Sequence, residues 1–137
     1  MPSATGNVIA AVAELVSRLA GVTDGLHYED VNCVCSAGTL HAGTAVNVVP
    51  TSARITGTLR TFTDTQREVA LERLRALCAS VAESHDVIVD LELPERTPAV
   101  VNDVAVTDLV EKEARVVLGG DHLVFRMPPS APSVMLG

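Results

Sequence analysis

Residues Thr39–Phe62 read TLHAGTAVNVVPTSARITGTLRTF. In the second half Ala53, Ile55, Gly57, Leu59 and Thr61 alternate with Arg54, Thr56, Thr58, Arg60 and Phe62. Successive side chains of a strand point to opposite faces, so this pattern predicts a strand with one small or apolar face and one face carrying two arginines and two threonines. Gly43-Thr44 and Pro50-Thr51-Ser52 break the chain on either side of Ala45–Val49, and Pro50 has no N–H for a central ladder. The stretch therefore predicts two strands joined by a Pro-containing bend, with Asn47 and Arg60 at their ends.

Before it, Glu29–Leu40 alternates Val31, Cys33 and Cys35 against Asn32, Val34 and Ser36, which predicts another strand. Residues 5–20 place Val8, Ile9, Val12, Leu15, Val16 and Leu19 at spacings of three and four, one apolar helix face. Thr5 or Asn7 can cap that helix and Gly21 can end it. After the opening stretch, Thr65-Gln66-Arg67-Glu68 has the form of a capping box, and the spacing predicts a helix to about Glu83. Its stripe is Val69, Leu71, Leu74, Leu77, Cys78 and Val81. Asp86–Leu93 alternates again and predicts a third strand.

The order helix, strand, strand, helix, strand becomes βαββαβ if one strand is placed in front. The expected fold is thus α+β: a ferredoxin-like (split βαβ) antiparallel sheet with helices on one face, lacking its first strand. Beyond a PERTP linker bracketed by Pro94 and Pro98, Asn102 or Asp103 can cap a helix bearing Val106, Leu109, Val110, Val117 and Leu118, stopped by Gly119-Gly120. The Pro-rich tail is expected to be a loose end.

Composition narrows the function classes. The 137 residues are 47% hydrophobic and 20% charged, which suits a folded core, but only 2% aromatic, which offers no stacking platform for bases. A formal charge of -7 repels phosphate backbones and argues against nucleic acid. No apolar run approaches the roughly 20 residues of a membrane span, and no basic-then-apolar leader opens the chain, so the cytoplasm is the expected location. Cys33, Cys35 and Cys78 read as reduced, buried thiols.

Catalytic signatures such as a nucleophile elbow, a phosphate loop, a dinucleotide fingerprint or His-Glu-x-x-His do not occur. Asn47 and Arg60 are the better candidates. A guanidinium grips a carboxylate with two charge-assisted hydrogen bonds, and an amide beside it both donates and accepts. A surface arginine on a wet strand face and a turn asparagine are the plain alternatives. His41, beside the Gly-containing bend, is a third candidate for substrate contact.

The runs His41-Ala-Gly-Thr-Ala-Val-Asn47-Val-Val-Pro50 and Gly57-Thr-Leu-Arg60-Thr-Phe62, with Asn102-Asp103 after the linker, resemble the lid or dimerisation domain of the zinc-dependent aminoacylase and carboxypeptidase family. The likeness is strongest to the hippurate and indole-acetyl-amino-acid amidohydrolases and covers the chain to about Gly119. It implies a lid over residues 1–97, incomplete at its start, and the opening of the second half of a catalytic domain over residues 98–137. It implies an amidohydrolase of N-acyl amino acids or small peptides, working as a homodimer with two zinc ions, in which Asn47 and Arg60 hold the substrate. The family's zinc ligands, its general base and the lid histidine for the oxyanion have no matching positions here. No cofactor is therefore expected in this chain, which reads as a fragment inactive by itself. The alternative is a stand-alone dimerising or small-ligand-binding module whose incomplete sheet pairs with another chain.

Overall fold

The computed structural model describes residues 7–28, 31–93, 97 and 102–119, together with the backbone of residues 133–136. Helix α1 (Val8–Arg18) starts where Asn7 can cap it, the side-chain oxygen accepting from the Ala10 N–H at 3.0 Å. It continues into a 3-10 turn, Leu19–Thr23, that buries Leu19 and Val22. Helix α2 (Asp64–His85) opens before the predicted box. Thr63 accepts from the Gln66 N–H, and the Gln66 side chain accepts in return from the N–H groups of Phe62 and Thr63. The box is Thr63/Gln66 rather than Thr65/Glu68 because Thr63 is the last extended residue, at φ -128°, while Thr65 is already helical. The Gln66 amide also donates to the His27 carbonyl at 2.7 Å, tying the helix start to the neighbouring hairpin.

That hairpin is β1 (His27–Tyr28) with β2 (Val31–Asn32). The main sheet has the order β3 (Val34–Ala42), β4 (Ala53–Arg60), β5 (Ser133–Leu136), with both pairings antiparallel. Cys35 pairs with Leu59 and Ala37 with Gly57, but the next pair is Thr39 with Thr56, so Gly38 is an extra residue and forms a bulge. The bulge reverses the side-chain phase of β3. As a result Thr39 and His41 join Val34 and Ser36 on the face that carries Arg54, Thr56, Thr58 and Arg60.

The opposite face meets the helices. Cys35 and Leu59 join Ala11, Leu19 and Val22 and the α2 residues Ala70, Leu71, Leu74, Leu77, Cys78 and Val81 in one buried cluster. Helices on a sheet make this an α+β fold, as the pattern predicts. Glu14 of α1 bonds His85 of α2 at 2.8 Å, and this bond, with that to Arg18, holds its carboxyl below the usual carboxylate value.

Four details differ from the sequence expectation. The single strand over Glu29–Leu40 is divided at Cys33, whose N–H bonds the Leu26 carbonyl at 2.8 Å, and β3 runs on to Ala42. Ala45–Val49 is loop, so Asn47 does not end a strand. Residues 87–93 keep the expected in-out alternation, with Val87, Val89, Leu91 and Leu93 packed on the core and Ile88 98% exposed, but no ladder forms. None of the described strands is laddered to them. Finally, part of the tail is not loose: Ser133–Leu136 is laddered to Arg60–Gly57. The linker prolines and most of the tail lie outside the described residues.

Helix α3 (Val104–Leu118) starts at Asp103, which accepts from the Val106 N–H at 3.0 Å, and none of its residues is buried. No helix among the described residues is long and apolar enough to cross a membrane.

Cys33, Cys35 and Cys78 are buried, free thiols. Burial, with Cys78 close by, pushes the Cys35 thiol from 9.0 up to about 11. Below pH 9 the thiol is neutral in both folded and unfolded chains and adds no pH dependence. Above it the unfolded chain releases the proton first, so this group lowers stability as pH rises from 9 to 11. Denaturant midpoints should fall over that interval, and Cys35→Ala should flatten the fall.

Candidate functional site

Three expected site residues can be placed. Asn47 lies in the loop between β3 and β4, which starts at Gly43 with φ +71° and closes at Pro50. Glycine is needed at 43 because that backbone region is strained for residues with a Cβ. A turn bond from the Val48 N–H to the Ala45 carbonyl shapes the tip. Asn47 is exposed and flanked by Val46, Val48 and Val49, each at least 59% exposed. Its side chain bonds no described residue. An open depression lies between this loop and the start of α1, lined by Asn47, Asn7 and Ile9.

His41 is near the same end of the sheet, directly across the ladder from Arg54. Arg60 is at the other end, opposite Val34. Six residue steps of strand separate Arg54 from Arg60, about 20 Å at the usual rise. The fold therefore brings His41, Arg54 and the Asn47 loop to one end of β4 and holds Arg60 apart; within one chain Asn47 and Arg60 do not form a single clamp. Between them, Ser36 meets Thr58 at 3.4 Å and Thr39 is hydrogen-bonded to Thr56. Both arginines are exposed and bond no described residue, so each keeps its full donor fork for a ligand or a second chain.

Arg54 is the residue that sequence reading passed over. Its parity with Arg60 on the strand was visible, but its pairing with His41 depends on the Gly38 bulge, which alternation does not reveal. Among the described residues no group of three or more His, Cys, Asp or Glu could hold a metal ion. His41 faces an arginine across the ladder, a poor neighbour for a cation. The described residues do not fit a zinc centre.

A two-layer unit with β3 at the open edge of its sheet and a polar, solvent-facing sheet surface has the features of an assembly module. The chain belongs to the M20 peptidase dimerisation domain family, whose model matches residues 1–86. Among its relatives, the N-acetyldiaminopimelate deacetylase of Streptococcus gordonii is 36% identical over 87 residues, 64% of this chain and 21% of that protein. A putative glutamate--cysteine ligase 2-3 of Rhodococcus jostii is 35% identical over 124 residues, 89% of this chain and 15% of that protein. The hippurate hydrolase of Campylobacter jejuni is 22% identical over 136 residues, 99% of this chain and 36% of that protein. The chain thus spans between about a sixth and a third of the length of these relatives. No solved structure matches it.

Proposed function

We propose that this chain is the dimerising and substrate-gripping part of a cytoplasmic, zinc-dependent amidohydrolase that acts on N-acyl amino acids or small peptides. The family match over residues 1–86 carries this reading. The names of two relatives agree with it, since N-acetyldiaminopimelate and hippurate are both N-acyl amino acids.

In this reading residues 1–97 are the lid, and residues 98–137, which include α3, begin a catalytic half. Two copies associate through their lids. Arg60 grips the substrate carboxylate, and Asn47 and His41 contact substrate from the opposite end of β4. The 20 Å between those ends supports a division of labour in which they serve different parts of the assembly. The exposed valines around Asn47 provide apolar contact for an acyl group or a neighbouring chain. The zinc ions and the general base come from other residues of the full-length enzyme, so the 137-residue chain is inactive alone.

The test is hydrolysis of N-acetyl and N-benzoyl amino acids by the purified chain with and without added zinc. No turnover above the buffer rate is expected in either case. Zinc-dependent turnover that resists removal of trace hydrolases would overturn the division of roles.

A further inference from the structure

The last rung of the β3–β4 ladder is Val34 opposite Arg60. Beyond that rung, groups from both strands converge on one side chain, that of Gln66. From the β4 side the Phe62 N–H donates to Gln66 Oε1 at 3.1 Å, and the Thr63 N–H donates to the same oxygen at 3.2 Å. From the β3 side the thiol of Cys33, the residue before Val34, donates to it at 3.6 Å, a weak bond. Gln66 Nε2 in turn donates to the His27 carbonyl of the β1–β2 hairpin at 2.7 Å. Two further contacts hold the hairpin here: the Cys33 N–H bonds the Leu26 carbonyl at 2.8 Å, and the Tyr28 and Phe62 ring centroids are 5.8 Å apart. The two ends of the Gln66 amide have separate roles. A capping box needs only an acceptor at this position and takes Glu as readily as Gln, and the helix dipole favours a carboxylate there. Capping therefore does not account for the amide nitrogen, which is the part that reaches the hairpin. An ionised carboxylate only accepts, and would meet the His27 carbonyl as a second acceptor.

We propose that Gln66 is a positioning residue for Arg60: its amide closes the end of the β3–β4 ladder in place of a further rung and fixes the β1–β2 hairpin beside it, so that the Arg60 guanidinium is presented from a fixed backbone. Strand ends fray where nothing holds them. An arginine on a frayed end has to be ordered by its ligand, and that ordering weakens binding. Gln66 itself touches no substrate in this account. The proposal deepens the reading of Arg60 as the carboxylate grip and rests on it.

The experiment uses the full 137-residue chain with Gln66→Glu and Gln66→Ala, and Arg60→Gln as the ligand control. Gln66→Glu keeps the acceptor, so amide exchange at Phe62 and Thr63 and the unfolding midpoint should match the parent. Exchange at Cys33 and at hairpin residues 27, 28, 31 and 32 should quicken roughly fivefold in the same variant. Gln66→Ala should quicken both sets. N-acetylglycine, followed by the amide shifts of β3 and β4, should bind the parent, bind Gln66→Glu roughly threefold more weakly, and lose its site in Arg60→Gln. Unchanged hairpin exchange in Gln66→Glu would overturn the proposal, as would equal affinity of that variant and the parent for N-acetylglycine. A parent that does not bind N-acetylglycine, or binds it equally after Arg60→Gln, would overturn the grip reading and with it the functional half of the proposal, while the exchange rates still decide whether Gln66 holds the hairpin.

Discussion

Gly57→Ala is expected to destabilise the protein by on the order of 3 kcal/mol, a large share of the roughly 5–15 kcal/mol that stabilises a domain. A Cβ built at Gly57 runs into the carbonyl of Ser36 and lies 3.3 Å from Cα of Ala37, both backbone atoms of β3. Neither can rotate aside as a side chain would. The close approach occurs beside the Gly38 bulge. Relief therefore requires the strands to part or the bulge to shift, and a shift would also move His41 off the face it shares with Arg54. Gly21→Ala is the matched control, because a Cβ there makes an ordinary 3.6 Å contact with the Asp24 side chain. Chemical denaturation should show a much lower midpoint for Gly57→Ala and almost none of that loss for Gly21→Ala. A Gly57→Ala protein within 0.5 kcal/mol of the parent, taken as roughly the scatter of neutral surface changes, would contradict the packing described for β3 and β4.

Leu74→Ala is the second large effect, at about 2–5 kcal/mol. Leu74 is 1% exposed at the middle of the α2 stripe, in the cluster that joins both helices to the sheet. Its loss leaves a cavity whose lining comes from several elements, so collapse to fill it is incomplete. Leu15, Cys78 and Val81 line the same apolar pocket as Leu74, and the variant should also lose order there. Val116 of α3, 76% exposed, supplies the comparison: Val116→Ala should leave the unfolding midpoint nearly unchanged. Equal losses for the two would mean that α3, rather than the α1/α2 layer, holds the core.

Local signals account for what could be read from the sequence. The periodicity of α1, α2 and α3 and the two-faced pattern of β4 depend on side-chain spacing alone, and each matches the structure to within a few residues. The caps of α1 and α3 were legible only as a choice of two residues each, Thr5 or Asn7 and Asn102 or Asp103, of which the structure uses Asn7 and Asp103. Pairing was not legible, because a ladder depends on residues far apart in the chain. Val87–Leu93 has a strand's alternation without a ladder to a described strand, and Ser133–Leu136 joins β4 despite a Pro-rich setting. The same limit applies to the site. Asn47 and Arg60 were recognisable as polar groups beside apolar segments, whereas their separation along β4 and the His41–Arg54 pairing required the register. The capping box shifted by two residues because Thr63 and Thr65 offer equivalent hydroxyls, and only the extended backbone at Thr63 distinguishes them.

Whether this member of the dimerisation domain family pairs with a second copy is tested most directly by its mass in solution. Light scattering on the eluting peak of the purified protein should give twice the 14.3 kDa of one chain, at concentrations where the unfolded form is absent. Folded protein that remains at 14.3 kDa up to high micromolar concentration would contradict that pairing.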